Sequence, residues 1–126
     1  MIDRNARPVF LDLRRIRLPV TALVSVAHRI SGIMLFLAMA PGLYLLQQAL
    51  ESPQGFAAAA DLLATPAARF VLVLLAWSLA HHVLAGLRAL LLDIHIGVFL
   101  ARARASAVAV LVLGCVAFAV AGVLAW

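Results

Sequence analysis

Three stretches of the chain carry no charge at all. Residues 30–50, 70–87 and 105–126 lack Asp, Glu, Lys and Arg. Each is close to the ~20 residues that cross the hydrocarbon core of a bilayer as a helix rising about 1.5 Å per residue. The pattern predicts an all-α membrane protein with three transmembrane helices, over about 21–50, 66–92 and 105–126, preceded by an N-terminal segment 1–20. Punctuation supports these bounds. Pro19 stands just ahead of the first span, where its missing N–H is tolerated. Ser52-Pro53-Gln54-Gly55 reads as a turn, and Phe56, Leu62 and Leu63 suggest a short helix against the outer surface. Thr65-Pro66 then reads as an N-cap with proline at the first helical position. Pro41-Gly42 lies inside the first span, where neighbouring helices can absorb a kink.

Composition excludes a soluble domain. Of 126 residues, 67% are hydrophobic and 12% charged, with a mean hydropathy of +1.14; a water-soluble fold of this size needs far more polar surface. All ten basic residues are Arg. Arg4, Arg7, Arg14, Arg15, Arg17 and Arg29 precede or open the first span, and Arg88, Arg102 and Arg104 surround the connection between the second and third. Only Arg69 belongs to the intervening side, together with Glu51 and Asp61. The positive-inside rule therefore predicts a cytoplasmic N-terminus and a periplasmic C-terminus. Arg residues that abut a span and are interleaved with Leu11, Leu13, Ile16 and Leu18 suit a lipid interface or a soluble partner protein, and no nucleic acid. No secretory signal pattern is evident, and the lone Cys115 allows no intrachain disulfide.

The chemistry resides in polar residues at membrane depth, which are costly there and so mark sites. The first span opens with Ser25, His28 and Arg29; Ser31 and Gly32 follow and narrow the helix. The second carries His81, His82, Arg88 and Asp93. His82, Gly86, Ala89 and Asp93 fall on one helical stripe, leaving space beside the imidazole, whereas His81 points about 100° away, toward the Arg88 face. Ser78, one turn before His82, is a candidate acceptor for its Nδ1–H. His82 stands about 16 Å along the axis from Asp93, and Arg29 about 12 Å from Thr21. Both clusters therefore occupy the cytoplasmic half of the bilayer. A histidine so placed is an interhelical hydrogen-bonding group, a proton relay, or a metal or haem ligand. Small residues beside His82, with the cations Arg29, Arg88 and His28 able to meet propionates, favour haem; too few ligands converge for zinc. One His supplies one axial ligand, the second coming from His81, His28 or a partner chain. Ser25 and Arg29 suit a small head with carbonyl oxygens, such as a quinone. His95 reads as interfacial, and the third span as packing only.

The motifs resemble those of the cytochrome b556 membrane anchors of bacterial succinate dehydrogenase. The resemblance covers nearly the whole chain: Arg7-Pro8 with Leu11-Asp12-Leu13, Ile16-Arg17 with Pro19, Ser25-x-x-His28-Arg29-x-Ser31-Gly32, and His82-x-x-x-Gly86-x-Arg88-x-x-x-x-Asp93. The Ser52-Pro53-x-Gly55-Phe56 loop is similar to enterobacterial members, which differ in carrying His where this chain has Ala89 and Tyr where it has His81. The resemblance implies a membrane anchor of succinate:ubiquinone oxidoreductase in the bacterial inner membrane, half of a heterodimeric bundle that holds haem b together with a second, different membrane anchor. It implies His82 as the haem axial ligand, His28, Arg29 and Arg88 on the propionate side, and Ser25, Arg29 and Asp93 at the ubiquinone site. FAD and iron–sulfur clusters belong to the partner flavoprotein and iron–sulfur subunits, and a trimer of heterotetramers is compatible with the family. The alternatives are the anchor of a quinol:fumarate reductase and a non-enzymatic helical scaffold.

Overall fold

The computed structural model describes residues 17–126. The expected interfacial segment, with Arg7-Pro8 and Leu11-Asp12-Leu13, lies outside the described residues. Four helices follow in order: α1 (Val20–Glu51), α2 (Pro53–Ala64), α3 (Pro66–Asp93) and α4 (Leu100–Ala125). Three of them, α1, α3 and α4, are long and apolar enough to cross a membrane. The short α2 lies between the first two.

Local chemistry sets most of the helix ends. The Ser52 hydroxyl accepts from the Gly55 N–H at 3.0 Å, and Pro53 opens α2 where no N–H is needed. A Cβ on Gly55 would collide with the Gln48 carbonyl oxygen, so only glycine lets α2 fold back this closely on α1. Thr65 repeats the device for α3: its hydroxyl accepts from the Ala68 N–H at 3.3 Å and donates to the Leu62 carbonyl at 2.7 Å, ahead of Pro66. At the far end of α3 the His95 N–H donates to the Leu92 carbonyl (3.0 Å) and the Ile96 N–H to the Leu91 carbonyl (2.8 Å). With His95 at φ 64°, this is a Schellman termination with a histidine in the left-handed position that glycine usually fills. Gly97, at φ 80°, completes the turn. α4 then starts at Leu100 rather than Ala105, taking Arg102 and Arg104 into its first turns. Their aliphatic stems can lie along apolar surface while the heads reach the interface. Pro41 sits within α1, which stays helical through it.

Packing inverts the soluble pattern. The buried set among the described residues is small: Val24, Ala59, Val73, Ala85, Ala107, Val110 and Gly114, with Ser31, Ser78 and His81. Large residues such as Phe36, Leu50, Phe70 and Val123 face outward. In lipid, nothing is gained by hiding Leu or Phe, so helices associate through small residues that let backbones approach. Val24 of α1 meets Ala85 of α3 and Ala107 and Val110 of α4 in one cluster. Two arginines fasten α3 to α4. The Arg69 guanidinium donates to the Ala125 carbonyl (3.2 Å), placing a cation at the α4 C-terminus, where the helix dipole favours it. Arg88 Nε donates to the Ser106 hydroxyl and its Nη2 to the Ala103 carbonyl, both at 3.1 Å.

Candidate functional site

α1 and α3 run antiparallel, and their histidines meet where each helix carries a glycine one turn on. Both segments read His-x-x-x-Gly: His28 to Gly32, and His82 to Gly86. Each imidazole packs over the other helix's glycine. A Cβ on Gly32 would lie 2.9 Å from His82 Cε1, and one on Gly86 would lie 3.4 Å from His28 Nε2. The two rings stack with centroids 4.2 Å apart and planes 22° off parallel. The space beside His82 left by Gly86 is thus occupied by His28 of the same chain.

His82 is held at its Nδ1. The Ser31 hydroxyl stands 3.2 Å from Nδ1, and so does the His28 carbonyl oxygen. Ser31 is fully buried, and its hydroxyl donates to that same carbonyl at 2.8 Å. Ser78, the candidate partner one turn away on α3, is instead turned to α1, where it donates to Met34 Sδ at 3.4 Å. The partner of His82 is therefore a cross-helix residue. The signal for it in the sequence was the Ser three positions after His28.

On the outer side of this pair opens a cleft of roughly 540 Å³ lined by His28, Arg29, Gly32, Ile33, Phe36 and His82. Three of the expected site residues, His28, Arg29 and His82, thus share one surface. The others stand elsewhere. Ser25 is exposed one turn earlier on α1, and Asp93 is exposed at the last turn of α3. Arg88 faces α4 through the bonds given above. His81 is only 1% exposed, set in the chain's own core; it stacks on Trp77 (5.4 Å) and lies over Gly114, whose Cβ would come 3.1 Å from its Nδ1. Its Nε2 has no hydrogen-bond partner among the described residues. Among the described residues no three His, Cys, Asp or Glu side chains converge. An imidazole held at Nδ1 in an open cleft could give its other ring nitrogen to a metal-bearing group bound there.

Long apolar helices with small-residue contacts, and an imidazole presented beside a cation in an open cleft between them, define a multi-pass membrane protein with a polar site between its helices. Residues 3–121 match the succinate dehydrogenase/fumarate reductase transmembrane subunit family, and the chain belongs to it. It is similar to the succinate dehydrogenase cytochrome b556 subunit of Coxiella burnetii (strain RSA 493 / Nine Mile phase I), with 35% identity over 121 residues, 95% of this chain and 97% of the relative. It is also similar to the protein of the same name from Paracoccus denitrificans, with 34% identity over 119 residues, 94% and 91% of the two chains. It is thus a membrane subunit of a succinate dehydrogenase-type complex.

Proposed function

We propose that this chain anchors a succinate:ubiquinone oxidoreductase in the bacterial inner membrane, binds haem b together with a second membrane anchor, and contributes to the ubiquinone site. The observation that carries this reading is the imidazole of His82, hydrogen-bonded at Nδ1 and lining an open cleft next to Arg29. Haem, when bound, supplies a one-electron carrier. This chain's residues would supply its setting: His82 would give it a nitrogen ligand, and the Arg29 cation and the His28 ring, which line the same cleft, would face its propionates. Arg88, which the resemblance also assigns to the propionate side, has its guanidinium bonded to Ser106 and the Ala103 carbonyl of α4 and stands apart from this set. Ser25 and Arg29 offer a hydroxyl and a fixed cation to the quinone carbonyl oxygens, and Asp93, at the end of α3, stands toward its proton supply. The N-terminus and the α3–α4 turn, with Arg102 and Arg104, lie on the cytoplasmic side, where the iron–sulfur and flavoprotein subunits would dock. FAD and the iron–sulfur clusters reside in those partners, and the assembled heterotetramer is compatible with a trimer. The names of both relatives favour succinate oxidation over the fumarate reductase alternative.

The test is purification from membranes through a tag on this chain, with a dithionite-reduced minus oxidised spectrum and two activity assays. A b-type haem band with co-purifying flavin and iron–sulfur signals is expected; a lone chain without haem would sink the reading. In the same preparation, Arg29→Ala is expected to lower succinate–quinone activity by about 10- to 150-fold, while succinate oxidation with an artificial acceptor persists. This corresponds to the loss of one charge-assisted contact of roughly 1.5–3 kcal/mol. Full quinone reduction in Arg29→Ala would make the residue an interface anchor only.

A further inference from the structure

We propose that Ser31, with the backbone carbonyl of His28, is the positioning element that fixes His82 as the Nδ1–H tautomer, so that Nε2 keeps its lone pair for iron. The inference rests on the reading of His82 as the haem ligand and adds a residue that this reading did not contain.

The argument is one of donors and acceptors. A carbonyl oxygen only accepts, so the 3.2 Å contact between His82 Nδ1 and the His28 oxygen requires the proton on Nδ1. The Ser31 hydroxyl has one hydrogen, and it is committed to the His28 carbonyl at 2.8 Å. What Ser31 turns toward Nδ1, also at 3.2 Å, is therefore a lone pair. Two acceptors thus converge on one nitrogen. In the opposite tautomer Ser31 would have to turn its hydrogen from the His28 carbonyl to Nδ1, and that carbonyl would lose both side-chain donors and face a bare nitrogen in a water-poor interior, where unpaired polar atoms are costly. In a neutral imidazole a proton on Nδ1 leaves Nε2 bare, and among the described residues none bonds Nε2.

Orientation is fixed by the same segment. Gly32 closes against Cε1 and Nδ1 of His82, with a Cβ position 2.9 and 3.3 Å from them. The His28 ring covers one face at 4.2 Å. One stretch of α1, His28-Arg29-Ile30-Ser31-Gly32, therefore supplies both acceptors, the stacking ring and the wall. The serine can do this because a hydroxyl three residues on reaches back to the carbonyl of the preceding turn. Acceptors on the remote N–H of a ligating histidine orient the ring and make it a better donor to the metal.

The test uses the whole complex carrying Ser31→Ala, Ser31→Thr or His82→Ala in this chain. Ser31→Ala is expected to keep a b-type spectrum while the g-values of the ferric low-spin haem move and its midpoint potential rises, because a poorer imidazole donor stabilises ferric iron less. Haem retention through detergent washing should fall by roughly tenfold. Ser31→Thr, which keeps the hydroxyl, should return all three to parental values. Parental g-values and potential in Ser31→Ala would overturn the proposal. Should Ser31→Ala not assemble, Ser31→Cys keeps the shape with a weak acceptor and is judged by the same shifts. Loss of the haem band in His82→Ala together with a silent Ser31→Ala would overturn the positioning role alone. A haem band that survives His82→Ala would overturn the ligand reading with it.

Discussion

The haem b band of the purified complex is expected to vanish in His82→Ala and to persist in His81→Leu. These adjacent histidines occupy opposite environments. His82 is half-buried and lines the α1–α3 cleft, while His81 is sealed between Trp77 and Gly114 in the contact of α3 with α4. Iron bound from outside the chain can reach the first and not the second. His82→Ala should also leave the fold standing. The His28 carbonyl keeps its bond from Ser31 at 2.8 Å, so no acceptor is orphaned. The truncated side chain leaves a dent open to the cleft rather than a closed void, the case with the smallest cavity term. The cost should stay near roughly 1–2 kcal/mol for the lost Nδ1 hydrogen bonds. His81→Leu replaces a buried group whose Nε2 has no partner among the described residues. An apolar side chain of similar volume removes that desolvation cost, so stability is expected to hold or rise. The check is haem per tagged chain by reduced-minus-oxidised spectroscopy, with thermal unfolding of both variants in detergent. A haem band in His82→Ala, or its loss in a well-assembled His81→Leu, would reverse the assignment.

The two histidines also show what one sequence can and cannot display. The bilayer imposes a length and a composition on each span, so the three charge-free runs were visible as α1, α3 and α4. The start of α3 was visible too, since Thr65-Pro66 caps by a contact within three residues; Ser52-Pro53-Gln54-Gly55 reads as a turn in the sequence, whereas α2 already begins at Pro53 with Ser52 as its cap. The start of α4 was misplaced because charge was taken to end a span. Arg102 and Arg104 do not stop a helix; they only determine where its surface is wet. Helical arithmetic correctly set His81 and Arg88 on one side of α3, and both do face α4. It could not say what comes across from another helix. Ser78 was a reasonable partner for His82 within α3, yet Ser31 of α1 takes that place and Ser78 goes to Met34. Likewise Gly86 was read as room for a bulky group, and the group seated there is His28. Interhelical register is fixed by packing of small residues on both partners, and no single helix encodes it.

That register makes Gly32, among the glycines of the three long helices, the position least able to accept a methyl group. Built on the α1 backbone, a Cβ there would sit 2.9 Å from His82 Cε1, 3.3 Å from Nδ1 and 3.9 Å from Nε2. The ring cannot swing aside at little cost, because Ser31 and the His28 carbonyl hold its Nδ1 and the His28 ring covers its face. Either the hydrogen bonds break or α1 and α3 separate. Overpacking of this kind costs about 1–3 kcal/mol, so Gly32→Ala should weaken haem retention by roughly 5- to 150-fold. Gly86→Ala should be milder, since its Cβ would meet only His28 Nε2, at 3.4 Å. Gly42→Ala, with nothing within 4 Å, should leave haem content unchanged although it lies in the same helix as Gly32. Haem per tagged chain and the detergent unfolding midpoint, measured across the three variants, test the order Gly32, Gly86, Gly42. Equal retention in Gly32→Ala and Gly42→Ala would mean that His82 is not pressed against α1, and the seat described for its imidazole would have to be abandoned.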